Sequence, residues 1–238
     1  MPERSGIEFR VWGRYALFTD PLTRIGGEKC SYHIPTYEAL KGIAKSIYWK
    51  PTFEWIVDEV RVMKQIRSQT KGTKPLVFGG GNDLAIYTFL FDVEYQVRAH
   101  FVWNRHRPEL EQDRIGGKHF AIAQRMLERG GRQDVFLGTR DCQGYVEPCA
   151  FGKGPGHYDE AGELGYGLMF HGFDYPDETG KEELLARFWR PTMIDGRIRF
   201  ETPEECKVRR FIREMSAKKF AEQRNLRGVE EEQPEVMV

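Results

Sequence analysis

From Tyr87 to Trp103 the chain alternates. Tyr87, Phe89, Phe91, Val93, Tyr95, Val97, Ala99, Phe101 and Trp103 hold one set of positions, and Thr88, Asp92, Glu94, Gln96, Arg98 and His100 the other. A period of two sustained this long is a β-strand, bent over its length, with one face on a core and one on water. Such a strand commits the chain to a sheet, so the remaining segments are read for partners and for helices to cover its apolar face.

Upstream, Ile7, Phe9 and Val11 alternate with Glu8, Arg10 and Trp12, a second strand with one buried face. Pro35-Thr36 opens a helix with an apolar stripe of Leu40, Ile43, Ala44 and Ile47. Gly42 within it costs roughly 1 kcal/mol against alanine, which close backbone packing is expected to offset. The helix runs out into Tyr48-Trp49-Lys50-Pro51, because the residue before a proline disfavours helix. Phe53 to Met63 is another strand, and residues 67–75 suit a hairpin or loop. After the long strand, glycine pairs bracket a helix over Gly116–Gly131, with Phe120, Ala123, Met126 and Leu127 on its core face. Gln133 to Leu137 adds a short strand. The order strand, helix, strand, strand, helix, strand predicts an α+β domain of the ferredoxin-like arrangement over residues 1–147. RNA-recognition (RRM-type) domains use it, although their aromatic signature is missing here and a fold alone does not set a function.

Beyond that point the pattern is less regular. Residues 148–228 are read as a smaller antiparallel β-rich domain, with strands at Tyr145 to Phe151 and Leu164 to Phe173. Asp195-Gly196 centres a hairpin within Met193 to Phe200. Lys181 to Phe188 is expected to be a short helix and Glu204 to Leu226 a basic C-terminal helix. Residues 229–238, with Glu230, Glu231, Glu232 and Glu235, are expected to be an acidic disordered tail.

Charge excludes little. The 36 basic and 36 acidic residues cancel, but residues 1–150 carry 22 against 18, a positive bias that permits an anionic partner. The four cysteines show no C-x-x-C pair or zinc spacing, and reduced thiols are expected. The first residues form no apolar leader and no run approaches a membrane span, so a cytoplasmic protein with no membrane partner is expected. Gly79-Gly80-Gly81 lacks the residues that turn a glycine loop into a nucleotide site. Asp92 and Glu94 share a strand face with Arg98, which reads better as a salt-bridged surface than as a metal site.

One detail runs against helix electrostatics. Lys118 and His119 stand in the first turn of the Gly116–Gly131 helix, where the macrodipole is positive and acids are favoured. Two basic side chains beside free backbone N–H groups make an anion site, with phosphate the obvious anion; the plain alternative is a surface Lys-His pair.

The string Gly13…Ala16-Leu17-Phe18-Thr19…Pro21…Ser31-Tyr32-His33-Ile34-Pro35-Thr36…Ala39-Leu40…Gly42-Ile43…Ile47-Tyr48-Trp49-Lys50-Pro51 resembles the opening of the fifth family of CRISPR-associated Cascade proteins. The Gly-Gly-Lys-His helix start and Glu163-Leu164-Gly165…Met169-Phe170 point to its subtype I-C (Dvulg) branch, the repeat-RNA endonucleases. The resemblance spans most of residues 7–200. It implies a ferredoxin-like N-terminal domain and a smaller β-rich C-terminal one. It also implies an endoribonuclease that cuts the CRISPR precursor at the base of each repeat hairpin and stays on the 5′ handle of the guide RNA among other Cascade subunits. No metal or other cofactor is expected. The family's catalytic tyrosine falls on Tyr48, and its lysine and histidine fall on Lys118 and His119.

The chemistry suits those types. Metal-free cleavage uses the RNA's own 2′-hydroxyl and ends in a 2′,3′-cyclic phosphate. His119 can serve as base or acid near neutral pH, Lys118 can face the phosphorane charge, and Tyr48 can exchange a proton or orient the 2′-hydroxyl. Residue types alone leave open which of Tyr48 and His119 is the base. Arg10, Arg14, Arg24, Lys29, Tyr32, His33, Arg105, His106 and Arg107 are candidate RNA contacts. The second reading is a non-catalytic Cascade scaffold that caps the guide RNA and contacts double-stranded DNA.

Overall fold

The structure is a computed structural model that describes residues 5–19, 28–75, 79–81 and 83–217. In chain order it contains β1 (Gly6–Ala16), β2 (Lys29–Cys30), α1 (Tyr37–Ile47), β3 (Phe53–Val62), β4 (Ser68–Thr73) and β5 (Ala85–Trp103). Next come α2 (Gly116–Glu128), β6 (Val135–Phe136), β7 (Gln143–Pro148), β8 (Glu163–Gly165) and β9 (Met169–Asp174). The short helix α3 (Pro176–Thr179) precedes β10 (Glu183–Trp189), β11 (Thr192–Ile194), β12 (Arg197–Arg199) and β13 (Val208–Glu214). The result is a mixed α and β protein in which every strand pairing but β2 with β5 is antiparallel.

The long alternating strand is β5, at the centre of the larger sheet. It pairs with β1 along one edge (Phe9 opposite Val97, Val11 opposite Tyr95) and with β3 along the other (Phe53 opposite Trp103, Trp55 opposite Phe101). The path across the sheet is β6-β7-β1-β5-β3-β12-β11-β8, with β2 and β4 added at the start of β5. Val93, Tyr95, Val97, Ala99 and Phe101 are all buried, as their alternation predicts. The alternation is disturbed at Asp92, whose φ is 55°; beyond it Leu90, from the other set, is buried and Phe91 only half so. The face expected to be wet is roofed in part by the loop after β7. Gln96 donates to the Lys153 carbonyl at 2.7 Å and accepts from the Gly152 N–H at 2.8 Å, and Arg98 lies 4.5 Å from the Phe151 ring centroid.

Both longer helices cover the apolar face. Thr36 caps α1 by accepting from the Ala39 N–H, and the buried stripe includes the expected Leu40, Ile43, Ala44 and Ile47. A Cβ on Gly42 would meet nothing within 4 Å, so close packing does not explain that glycine. Gly138 is a different case. Its φ is +96°, and a Cβ there would stand 2.1 Å from the Leu17 carbonyl, so the β6–β7 turn closes over β1 only because no side chain is present.

The C-terminal part departs most from expectation. The Asp195-Gly196 hairpin forms, with both residues at positive φ, and β12 joins it to the edge of β3. The single strand read from Leu164 to Phe173 is two, with β8 in the larger sheet and β9 in a separate sheet of order β13-β10-β9. Lys181 to Phe188 is not a helix but carries β10, and Val208–Glu214 within the expected C-terminal helix is β13. Leu, Ala and Glu in β10 favour helix, but pairing on both edges overrides that preference. The rest of that expected helix from residue 218, and the acidic tail, lie outside the described residues. Buried charge lies within the small sheet and between α1 and α3. Arg187, almost wholly buried, pairs with Asp174, and Lys41 of α1 reaches Glu178 at 2.5 Å.

Candidate active site

Antiparallel alternation decides where the helix ends fall. Phe53 begins β3 and pairs with Trp103, which ends β5. α1 finishes just before the first of these and α2 starts shortly after the second. The C-terminus of α1 and the N-terminus of α2 are thereby delivered to the same end of the sheet.

Tyr48 leaves α1 in extended conformation, its N–H donating to the Ala44 carbonyl as the helix closes. Its own carbonyl accepts from Trp55 Nε1 at 2.7 Å, which fixes the turn into β3. The phenol ring is turned inward beside Phe53 and is 2% exposed. From the other side His119 projects out of the first turn of α2 into a cage of Phe53, Phe101 and Trp103 and has no exposed surface. Tyr48 Oη and His119 Nδ1 meet at 2.9 Å.

The other ring nitrogen settles the tautomer. His119 Nε2 is 2.6 Å from the Asp113 carbonyl, which can only accept, so Nε2 carries the hydrogen. In the neutral ring Nδ1 then accepts from the Tyr48 hydroxyl. Burial lifts the Tyr48 phenol above its ordinary pKa, the Asp113 carboxylate adds to the rise and Arg132 opposes it, so the hydroxyl keeps its proton. Lys118, one residue earlier, points away, with 48% of its side chain exposed. Its amine donates to Asp113 Oδ1 at 2.5 Å, and Thr52 Oγ1 donates to Oδ2 at 2.7 Å. The Lys118 ammonium holds the Asp113 carboxyl below the usual carboxylate range. The conflict with the helix dipole is therefore resolved locally. The histidine is buried with both ring nitrogens hydrogen-bonded, and the lysine is paired with a carboxylate outside the helix.

Thus Tyr48 and His119 come together, as the sequence predicts, and Lys118 joins them through Asp113. The candidate RNA contacts are dispersed. Arg105 and His106 are exposed and Arg107 half-buried in the turn that leads toward α2; Arg114 donates to the carbonyls of Asn104 and Arg107 and anchors that turn to the site. Arg10 alternates with buried Phe9 and Val11, so it lies on the sheet face opposite the helices, between Glu94 at 3.3 Å and Glu147 at 2.6 Å. Arg14 lies over the Tyr15 ring and Lys29 over Tyr87. Tyr32, which accepts from the Phe170 N–H, and exposed His33 precede α1, so a helix of about 16 Å separates them from Tyr48. Arg24 lies outside the described residues. Asp113 and Thr52 were missed by sequence reasoning; an acid five residues before a lysine and a threonine after a proline carry no pattern that marks them. Among the described residues no group of three or more His, Cys, Asp or Glu is placed to hold a metal ion, and no helix is long and apolar enough to cross a membrane.

Comparison with known proteins bears on this geometry. A family model described as CRISPR-associated protein (Cas_Cas5) matches residues 6–201. A Thermus thermophilus protein named CRISPR pre-crRNA endoribonuclease Cas5d is 28% identical over 195 residues, covering 78% of this chain and 80% of its own length. A Mannheimia succiniciproducens protein of the same name is 39% identical over 64 residues, 27% of this chain and 28% of that one. A crystal structure titled as a CRISPR-associated protein superposes with a TM-score of 0.74 at 36% identity, covering 86% of this chain and 96% of that chain. A functionally uncharacterized Streptococcus mutans protein gives 0.69 at 38% identity with the same coverage.

Proposed function

We propose that this chain, which belongs to the CRISPR-associated Cas5 family, is an endoribonuclease that matures CRISPR precursor RNA without a metal ion and remains with its product. The cut lies at the base of the repeat hairpin, and the protein stays on the 5′ handle as a Cascade subunit. The names of the Thermus and Mannheimia relatives support RNA processing. The observation that carries the reading is the 2.9 Å contact between Tyr48 Oη and His119 Nδ1, with Lys118 on the same helical turn. We read the strand order β7-β1-β5-β3 under two helices as the ferredoxin-like arrangement of a processing domain at residues 1–147; of the smaller β-rich unit read at 148–228, β8, β11 and β12 extend this larger sheet beyond β3, and β9, β10 and β13 form a sheet of their own.

The 2′-oxygen forms a bond to phosphorus and the bond from phosphorus to the 5′-oxygen breaks. The 2′ proton passes to Tyr48 Oη as that hydroxyl gives its own proton to His119 Nδ1, a transfer of the kind that contributes roughly 10²–10⁴-fold. Lys118 leaves Asp113 to face the phosphorane and gives a proton to the departing 5′-oxygen. The products are a 2′,3′-cyclic phosphate and a 5′-hydroxyl. Arg105, His106 and Arg107, on the chain segment that leads to the site, are placed to hold phosphates of the incoming strand, and A-form shape selects the hairpin.

One observation favours the second reading, a scaffold that holds RNA, and duplex DNA, without cutting. His119 and Tyr48 are closed off, so a ribose reaches them only if a surrounding segment yields. Incubation of the purified protein with repeat RNA, with and without EDTA and beside His119→Ala and Lys118→Ala, separates the two. A cyclic phosphate end from the unaltered protein alone is the expected result. Tight binding with no cut establishes the scaffold, and cleavage abolished by EDTA removes the metal-free mechanism.

A further inference from the structure

We propose that Asp113 is the positioning residue of this site, holding Lys118 by its carboxylate and aiming His119 at Tyr48 by its carbonyl. The inference deepens the ribonuclease reading and rests on it for its kinetic arm. Three elements that must be mutually aligned meet at this one residue. Thr52, buried in the turn between Tyr48 and β3, donates to Oδ2 at 2.7 Å; Lys118 Nζ sits 2.5 Å from Oδ1; and His119 Nε2 lies 2.6 Å from the carbonyl and 3.4 Å from Oδ2. The same carbonyl accepts from the Ile115 N–H at 2.8 Å, which ties it to the start of α2.

Each contact has a consequence. An acceptor on Nε2 leaves the Nδ1 lone pair for the Tyr48 hydroxyl, so Asp113 selects the nitrogen that takes the proton. When the imidazolium forms, its Nε2–H remains on the carbonyl and the carboxylate stands beside it. The tether to Thr52 links the Tyr48 turn to the start of α2, so the distance between Tyr48 and His119 is set across Asp113. Lys118, an otherwise mobile point charge, is parked within one side-chain length of where a phosphate must arrive. No residue on α2 could do this: its N-cap, Ile115, makes no side-chain cap, and its first turn contains no acid.

The test compares Asp113→Asn with the unaltered protein in single-turnover cleavage and in RNA binding. Loss of positioning lowers the cleavage rate of bound RNA by about 100-fold, the typical effect of misplacing a reacting group. RNA affinity does not weaken, since a negative charge beside a phosphate site has been removed. Faster cutting with tighter binding would mean that Asp113 merely competes with phosphate for Lys118, and would overturn the proposal. A second arm needs no cleavage. Nitrogen-15 NMR of the labelled imidazole, assigned against His119→Ala, is expected to show one Nε2–H tautomer in the unaltered protein and mixed tautomers in Asp113→Ala, which keeps the carbonyl but frees it from the side-chain ties to Thr52 and Lys118 that hold it in place. Thr52→Val, nearly isosteric, moves both readouts the same way by less and serves if Asp113→Ala does not fold. A single Nε2–H tautomer persisting in the tether variants refutes the positioning role. An unaltered protein that cuts no RNA removes the ribonuclease reading, while the tautomer measurement still decides the hold of Asp113 on His119.

Discussion

Tyr48→Phe tests the dyad through stability and catalysis at once. The substitution removes one oxygen and leaves the ring where it packs against Phe53. His119 Nδ1 then loses its donor at a position with no access to water, among the rings of Phe53, Phe101 and Trp103. An acceptor stranded in that way costs about 1–3 kcal/mol. For a chain of this size each kcal/mol lowers Tm by roughly 2–4 °C, so a drop of about 2–12 °C is expected by calorimetry. Cleavage of bound RNA should fall by roughly 10²–10⁴-fold in the same variant with affinity unchanged, because the lost hydroxyl is asked only to move a proton. A double-mutant cycle sharpens the result. With His119→Leu added no polar atom is left stranded, and the two losses should be far from additive. An unchanged Tm would deny the hydrogen bond, and cleavage at the original rate would deny its place in the proton path.

Two further outcomes follow from the surrounding fold. Glu54, mostly buried and near Glu178, has its carboxyl pushed up to about 8, by burial first and by Glu178 second, against the pull of Lys41 and Lys45. The folded state therefore binds a proton that the unfolded state has released, and stability is lost as pH rises from about 4.5 to about 8, by up to about 5 kcal/mol. Glu54→Gln should raise Tm at pH 8 far more than at pH 5; an equal gain at both would refute the assignment. Two glycine substitutions should have opposite signs in urea unfolding. Gly42→Ala, in open space within α1, should stabilise by about 0.5–1 kcal/mol, whereas Gly138→Ala, at positive φ against the Leu17 carbonyl, should destabilise by about 2–4 kcal/mol.

Much of the larger sheet was legible because its residues alternate cleanly. Val93 to Phe101 fixed β5, Ile7 to Val11 fixed β1, and the stripe from Leu40 to Ile47 fixed α1. What failed was segments whose conformation is imposed from outside. The β10 residues Leu184, Leu185 and Ala186 favour helix locally and are strand only because β9 and β13 flank them. No local pattern reveals that Arg187 is buried, since its partner Asp174 lies on another strand. The open face of the sheet departs from expectation at one position for a similar reason. Arg98 stays exposed and ion-paired, as its place on the strand implies, but polar Gln96 looks solvated until the Phe151–Gly154 loop folds over it.

The candidate site divides along the same line. That Tyr48 should approach His119 is a topological consequence. α1 must end where β3 begins, α2 must follow the end of β5, and β3 and β5 run antiparallel with Phe53 opposite Trp103. Any sequence with that order of elements brings those helix ends together, so the pairing was predictable without a single side-chain distance. The state of the histidine was not. A Lys-His pair in the first turn of a helix reads as an open anion site, and the structure gives a buried imidazole and a lysine already occupied. The difference is made by a carbonyl and a carboxylate of one residue outside both helices. The site is therefore ordered and electrically satisfied, and on the proposed reading an incoming phosphate must compete with Asp113 for Lys118 before any bond is broken.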